Sequence, residues 1–278
     1  MRTLIRLIAA DLDGTLLDAG RAVSPETRRI LDRVRALGVT VVLATGRTYE
    51  GVRGIYDHLG LDSPVITNNG GLVYDPVTDT VLDGHPLPPA VLKALLGWLD
   101  SRGIYNQFYT RDTIYIRRLD YITKEWAEKN ASLPEAQRIR MELLGDGPLP
   151  AALDTEPFYK LLVMDRDPAV IQAVRRHVAG IPELDTTVSI ENGLDILSAG
   201  ISKGLGLERL AARLGIAREE IMAFGDQEND IEMLRYAGVG VAMENAGEHV
   251  KAAADRVAPL HNEDGLARFL AQWYGIGA

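Results

Sequence analysis

The chain has no cysteine, so a disulfide framework, a thiolate nucleophile and a Cys-ligated zinc site are all excluded. Histidine is scarce too: His58, His85, His177, His249 and His261 lack the short spacing of a His-rich zinc site and read as scattered structural or surface residues. Long apolar runs are also missing. Arg2 and Arg6 followed by Leu7, Ile8, Ala9 and Ala10 have a faint secretory look, but Asp11 and Asp13 interrupt the run far too early, so neither a signal peptide nor a membrane span is expected. Positive charge is in deficit, with 30 Lys and Arg against 39 Asp and Glu and a net charge of −9, which argues against a polyanion-binding surface and so against a nucleic-acid partner. A small phosphate held by a local cation is still allowed. No solenoid-length repeat or low-complexity tract is apparent. The absence of cysteine fits a cytoplasmic protein.

What is present suits a soluble globular protein of two domains: 278 residues, 46% apolar and 25% charged. Residues 4–10 form a nearly continuous apolar run ending in Asp-Leu-Asp-Gly-Thr, the pattern of a buried parallel strand feeding a functional loop. Ser24 and Pro25 then cap and open a helix with Ile30, Leu31, Val34 and Leu37 as its apolar stripe, and Gly38 ends it. A strand at 39–44, a helix at 48–59, a strand at 65–67 and a hairpin-like segment running from Asn68-Asn69-Gly70-Gly71 to Gly84 follow.

Past Pro86, Pro88 and Pro89 the texture changes. A helix at 91–101 leads into tyrosine-rich alternating strands at 105–117, an amphipathic stretch at 121–130, a Gly/Pro-rich turn at 145–150, a strand at 158–164, a helix at 168–178 and short strands at 187–190 and 194–197. The βα rhythm returns with a helix at 202–214, a strand at 221–224, a helix from about Glu228 and a strand at 239–243. The expected fold is α/β: a doubly wound, Rossmann-like parallel-sheet core made of residues 1–84 and 199–278, interrupted by an α+β insertion at 85–198.

Chemistry concentrates at strand ends. Asp11 and Asp13 stand two residues apart, and a chain turning through Gly14 could face both carboxylates to one place, though Asp-Gly alone reads equally well as a solvated turn. Gly225-Asp226-Gln227-Glu228-Asn229-Asp230 supplies a second acidic cluster after another apolar strand, where a helix begins. Acidic residues in a first helical turn gain ~0.3–1 kcal/mol from the dipole, against a ~0.2–0.5 kcal/mol penalty for a like-charged i,i+4 pair, so helix stability alone does not decide their purpose. Thr45-Gly46 at an intermediate strand end and Ser202-Lys203-Gly204 before a helix add a hydroxyl, amides and a cation. In an open α/β sheet the strand C-termini form the ligand crevice.

Taken in order, Asp11-Leu12-Asp13-Gly14-Thr15, Thr45-Gly46, Lys203 and Gly225-Asp226 with Asn229-Asp230 resemble the four motifs of the haloacid dehalogenase superfamily. The insertion, with Asn69-Gly70 and the closing Asn262-Glu263-Asp264-Gly265, resembles its Cof-type phosphatase branch (subclass IIB, C2-type α/β cap), and the likeness covers essentially the whole chain. It implies that Asp11 attacks phosphorus to form an aspartyl-phosphate while Asp13 serves as acid and then base. It implies Mg2+ held by Asp11, the Asp13 carbonyl and Asp226, with Asp230 anchoring the arrangement from behind. Thr45, Gly46, Lys203 and Asn229 are implied to bind the phosphoryl oxygens, with Asn69 a secondary substrate contact and Arg47 left without a role. The expected substrate is a small phosphorylated metabolite, a sugar phosphate foremost, and the expected assembly a monomer or homodimer. A sugar phosphomutase or phosphotransferase, and a phosphate- or metal-binding regulatory module without turnover, are the alternatives. The tyrosine-rich residues Tyr105, Gln107, Tyr109, Tyr115 and Arg117 read more readily as strand packing than as ligand contacts.

Overall fold

In the computed structural model, residues 4–119, 121–133, 138–145, 147 and 149–277 are described. Arg2 of the secretory-like start, and Asp146 and Pro148 of the expected turn, lie outside them. The chain divides into two compact units, one made of Met1–Thr45, Ile55–Asp83 and Ser202–Ala278, the other of Gly46–Gly54 and Gly84–Ile201.

The first unit opens with β1 (Leu7–Ala10), buried along its whole length. Helix α1 (Pro25–Ala36) starts where Ser24 and Pro25 dictate, the Ser24 Oγ accepting the Thr27 N–H at 2.9 Å. After β2 (Thr40–Leu43), helix α2 (Arg53–Leu59) begins five residues later than the sequence pattern suggested. The intervening residues turn instead, the Thr48 hydroxyl accepting the Gly51 N–H at 3.2 Å, a local bond that competes with helix formation. Strands β3 (Val65–Thr67), β4 (Leu72–Asp75) and β5 (Thr80–Gly84) form a three-stranded sheet.

The second unit holds α3 (Pro89–Asp100), β6 (Asn106–Tyr109), β7 (Thr113–Ile116), α4 (Tyr121–Ser132), β8 (Arg140–Leu143), β9 (Lys160–Met164), α5 (Pro168–Val178), β10 (Leu184–Thr187) and β11 (Gly193–Ser198). Its six-stranded sheet has the order β10-β11-β9-β6-β7-β8, antiparallel except for the β7/β8 pair. Period-two alternation assigns the faces. Phe108, Leu161, Val163 and Ile196 pack with Leu92, Leu95 and Leu99 of α3 and Val174 and Val178 of α5, while Tyr105, Tyr109, Leu162 and Met164 form a separate cluster with Trp126 of α4. The strand expected at 187–190 instead ends at Thr187. Asn192, in a left-handed conformation (φ +59°), turns the chain back into β11, and the Gly193 N–H closes the turn on the Ile190 carbonyl at 3.3 Å.

The first unit resumes with α6 (Lys203–Leu214), β12 (Ile221–Gly225), α7 (Ile231–Tyr236), β13 (Val239–Met243), α8 (Glu248–Lys251), β14 (Arg256–Ala258) and α9 (Gly265–Tyr274). The strands build an all-parallel sheet in the order β14-β13-β12-β1-β2, and a parallel bridge from Ala44 to Ile66 carries it on to β3. Leu7, Ala9, Val42 and Ala223 share one core with Leu207 and Leu210 of α6 and Met233 of α7; on the other side Phe224 meets Phe269 of α9 edge-on. Helices on both faces of a parallel sheet make the doubly wound α/β core that the sequence rhythm implied. The register sets Ala10 level with Leu43 and Phe224, so the residues that leave β1, β2 and β12 emerge along one edge.

Candidate active site at the strand ends

Asp11 follows the last residue of β1, its N–H donating to the Phe224 carbonyl at 3.0 Å, and its side chain is buried. The loop Leu12–Leu16 then doubles back through Gly14 (φ +80°), where a Cβ would lie 2.3 Å from Asp226 Oδ2. Only glycine fits both the left-handed backbone and that approach. The loop brings Thr15 Oγ1 to donate to Asp226 Oδ1 at 3.1 Å. Asp13 lies within the same loop, half-buried and extended in backbone (φ −76°, ψ 117°).

Asp226 and Asp230 come from the end of β12. Asp230 is fully buried and its oxygens are taken up: Oδ2 accepts the Asp226 and Gln227 N–H groups at 2.9 and 3.1 Å, and Oδ1 accepts from Lys203 Nζ at 2.8 Å. Lys203 is the first residue of α6, behind Ser202, whose Oγ caps the helix by accepting the Leu205 N–H. A cation at the positive end of a helix works against the dipole by ~0.3–1 kcal/mol, so its position serves the carboxylates rather than the helix. Lys203, 1% exposed, also donates to Asp11 Oδ1 at 2.6 Å.

Thr45 and Asn69 meet at the adjoining edge. The Thr45 N–H donates to the Ile66 carbonyl at 2.8 Å, and its own carbonyl accepts the Asn69 N–H at 3.0 Å. Asn69 Oδ1 accepts from Asn229 Nδ2 at 2.9 Å. Residues 68–70 all have positive φ, and a Cβ on Gly70 would lie 2.0 Å from the Ser202 carbonyl oxygen, so the Asn-Gly loop is pressed against the entry to α6. Gly46 belongs to the second unit, where its carbonyl accepts from Lys160 Nζ at 2.6 Å.

Electrostatically the cluster is short of positive charge. Oxygens of Asp11, Asp226 and Asp230 lie within 4.8 Å of one another around a single ammonium. Burial, with the charges of Asp230 and Asp226, holds the Asp11 carboxyl well above the usual range despite Lys203. Burial and Asp230 push Asp226 up to about 6. Burial disfavours the Lys203 ammonium, yet Asp11 and Asp230 more than reverse that and raise its pKa. A carboxylate set with this excess of negative charge and hard-oxygen donors suits a divalent cation such as Mg2+. Asp230 is already committed to Lys203 and two amides, which leaves Asp11 and Asp226 as the carboxylates of the cluster able to hold such a cation.

Of two further contributors, Asn245 was overlooked in the sequence and Thr15 stood in the first motif without a role. Asn245 Nδ2 donates to Asp226 Oδ2 at 3.1 Å and to the Gly14 carbonyl at 2.9 Å, and Thr15 orients the other Asp226 oxygen. The position of Asn245 just past β13, beside the strand that carries Asp226, was the available signal. His177 stacks on Trp98 with ring centroids 3.8 Å apart, away from the site, whereas His261 borders it: a ring nitrogen sits 2.7 Å from the Leu17 carbonyl and its backbone N–H donates to Asn245 Oδ1 at 3.3 Å. The closing Asp264 binds Ser24 Oγ, tying the start of α9 to α1.

Comparison with known proteins places this arrangement. Residues 8–270 match the model of the haloacid dehalogenase-like hydrolases. The chain is 33% identical over 271 residues to the pyridoxal phosphate phosphatase YbhA of Escherichia coli K12, covering 95% of this chain and 97% of that protein. It is 30% identical over 279 residues to the 5-amino-6-(5-phospho-D-ribitylamino)uracil phosphatase YitU of Bacillus subtilis 168, covering 99% and 100%. Among solved structures, the HAD subclass IIB sugar phosphatase BT4131 superposes with a TM-score of 0.81 at 25% identity, covering 98% of this chain and all of that one.

Proposed function

The chain belongs to the haloacid dehalogenase-like hydrolases and is a phosphatase of small phosphorylated molecules, and on that footing we propose that it hydrolyses sugar or sugar-alcohol phosphomonoesters with Mg2+ through an aspartyl-phosphate on Asp11. The observation that carries this is Lys203 joining Asp11 to Asp230, with Asp226 in the same carboxylate cluster. A nucleophile that must be anionic while buried needs such a cation beside it.

In this reading an Asp11 oxygen forms a bond to phosphorus while the bond to the alcohol oxygen breaks, and Asp13 gives that oxygen its proton. Water then attacks phosphorus, Asp13 takes the water proton, and inorganic phosphate leaves Asp11. Lys203, Thr45, Asn229 and the Gly46 N–H hold the phosphoryl oxygens, and Asn69 orients Asn229 through their amide contact. Mg2+ held by Asp11, Asp226 and the Asp13 carbonyl would offset the charge gathered there as the ester reacts. Asp230 fixes Lys203 and the turn carrying Asp226. Residues 1–84 and 199–278 are assigned to catalysis, and 85–198 to a cap that selects the leaving group.

The preference for sugar or polyol esters is supported by the phospho-ribityl substrate in the name of one relative and by the sugar phosphatase among the structural neighbours. Purified protein incubated with a metabolite panel, with and without magnesium, is expected to release inorganic phosphate from polyol esters only when magnesium is present. Release by Asp11→Asn at the normal rate would sink the assignment, and an isomerised sugar phosphate in place of free phosphate would turn it towards a phosphomutase.

A further inference from the structure

The second unit has its own buried cation, on a strand that otherwise reads as apolar. Lys160, at the start of β9, is 4% exposed. Its Nζ lies 2.9 Å from Asp195 Oδ1, 4.7 Å from the centroid of the Tyr109 ring, and 2.6 Å from the Gly46 carbonyl to which it donates. Its neighbours are organised as well. Asp195, 0% exposed, also binds Ser189 Oγ, and on the adjoining strand Tyr109 OH donates to Gln107 Oε1 at 2.6 Å while Gln107 Nε2 donates to Tyr105 OH at 2.7 Å.

Apart from Gly46, the network lies on the strands of the second unit's sheet and, for Ser189 and Tyr105, in the segments joined to them. Gly46 is the first residue of the Gly46–Gly54 segment, which groups with that sheet although the chain before and after it belongs to the other unit. Further along the segment, Glu50 pairs with Arg53 and lies where the charges of Asp112, Arg140 and Arg111 act on its carboxyl. Lys160 therefore grips the one carbonyl that starts the segment, immediately after Thr45. A lysine whose charge is matched by a single aspartate has donors left over, and here one of them is spent on a main-chain oxygen.

We propose that Lys160 is a positioning residue of the phosphatase: by fixing the Gly46 carbonyl it anchors the peptide plane that follows Gly46, while the Asn69 N–H on the Thr45 carbonyl anchors the plane before it, which carries the amide proposed to receive the substrate's phosphoryl oxygen. Each plane is held by its own carbonyl, the Gly46 C=O fixing the Arg47 N–H and the Thr45 C=O fixing the Gly46 N–H, so Lys160 acts on the Gly46 amide by restricting the torsions at the Gly46 Cα that join the two planes. The inference rests on the reading of Gly46 as a phosphate-binding amide. It assigns a function to a residue of the insertion that need not touch substrate.

Removing either partner alone would strand the other's buried charge, so the test compares the doubly neutralised Lys160→Met/Asp195→Asn variant with wild type. Two readouts are taken: hydrogen exchange of residues 46–54, and inhibition by inorganic phosphate measured beside kcat and KM on para-nitrophenyl phosphate. The expected result is exchange at least about tenfold faster in 46–54 but unchanged in β6 and β9, with phosphate inhibition and kcat/KM weakened about ten- to a hundredfold. The midpoint of magnesium activation should not move. Unchanged exchange would overturn the anchor, and faster exchange with unaltered phosphate inhibition would overturn the positioning role. If wild-type enzyme turns over the ester yet Gly46→Pro, which lacks the amide hydrogen, keeps its phosphate affinity, the reading of Gly46 fails instead, while exchange still decides whether Lys160 holds the segment.

Discussion

Each unit buries one lysine against aspartate, and the two sites differ in how the charges balance. Lys203 has three carboxylates around it, Asp11, Asp226 and Asp230, so the cluster stays negative and the burial of its acids is incompletely compensated. Lys160 is matched by Asp195 and spends its remaining capacity on a carbonyl and an aromatic face. An unbalanced cluster is unstable by itself and calls for a further cation, whereas a charge-balanced pair holds a shape. On the proposed readings the first pattern serves chemistry and the second placement.

The sharpest way to break that contrast is to neutralise one acid in each site. Asp11→Asn is expected to cut phosphate release by about a thousandfold or more, since no nucleophile is left. Its stability in urea should change by no more than about 1 kcal/mol, because Lys203 keeps Asp230 and the cluster sheds an unfavourable charge. Asp195→Ala is the converse. It leaves Lys160 buried without its carboxylate, and equilibrium unfolding should show a loss of about 3–5 kcal/mol. If Asp11→Asn proved the more destabilising of the two, the distinction between the sites would collapse.

Much of the unbalanced site was legible in the sequence and little of the balanced one. Asp11 and Asp226 stand at the ends of apolar strand runs and Lys203 follows a capping serine, so local pattern locates each at a strand end or helix start, and their order along the chain, with the family resemblance, joins them into one site. Lys160 lies inside such a run, where a single polar residue looks like an interruption, and its carbonyl partner is 114 positions earlier in the chain. Asn245 was overlooked for a similar reason: an Asn beyond a strand commonly serves a turn, and only the fold brings it beside Gly14 and Asp226. The late start of α2 and the early end of β10 were set by local hydrogen bonds and a left-handed Asn, features that apolar periodicity does not register.

A smaller effect separates the ligand from its support. Asp226→Ala should raise the magnesium needed for half-maximal activity about a hundredfold or abolish activation, while Asn245→Ala, which keeps the carboxylate but frees one of its oxygens, should raise it about tenfold. Magnesium titrations of both variants check this. Equal shifts would mean that Asn245 binds the metal itself or that Asp226 does not.

The mildest effect is a dependence of stability on pH. In the unfolded chain Asp226 ionises near its ordinary value of 3.8, whereas in the folded protein it holds its proton up to about 6, so between those values the folded state binds more protons than the unfolded. A raised carboxyl pKa therefore contributes stability below about 4 that is lost as pH rises through about 6; Asp11 shifts in the same direction. Other carboxylates titrate in this range, so the quantity to measure is the difference in Tm between wild type and Asp226→Asn in the presence of a chelator. That difference should turn against wild type as pH rises from about 4.5 to 7. Magnesium should reverse it, because its binding competes with the proton, so its gain in Tm should be small at pH 5 and larger above pH 6. A gain independent of pH would show that Asp226 is already ionised in the metal-free protein, and that the negative cluster is better compensated than its single lysine implies.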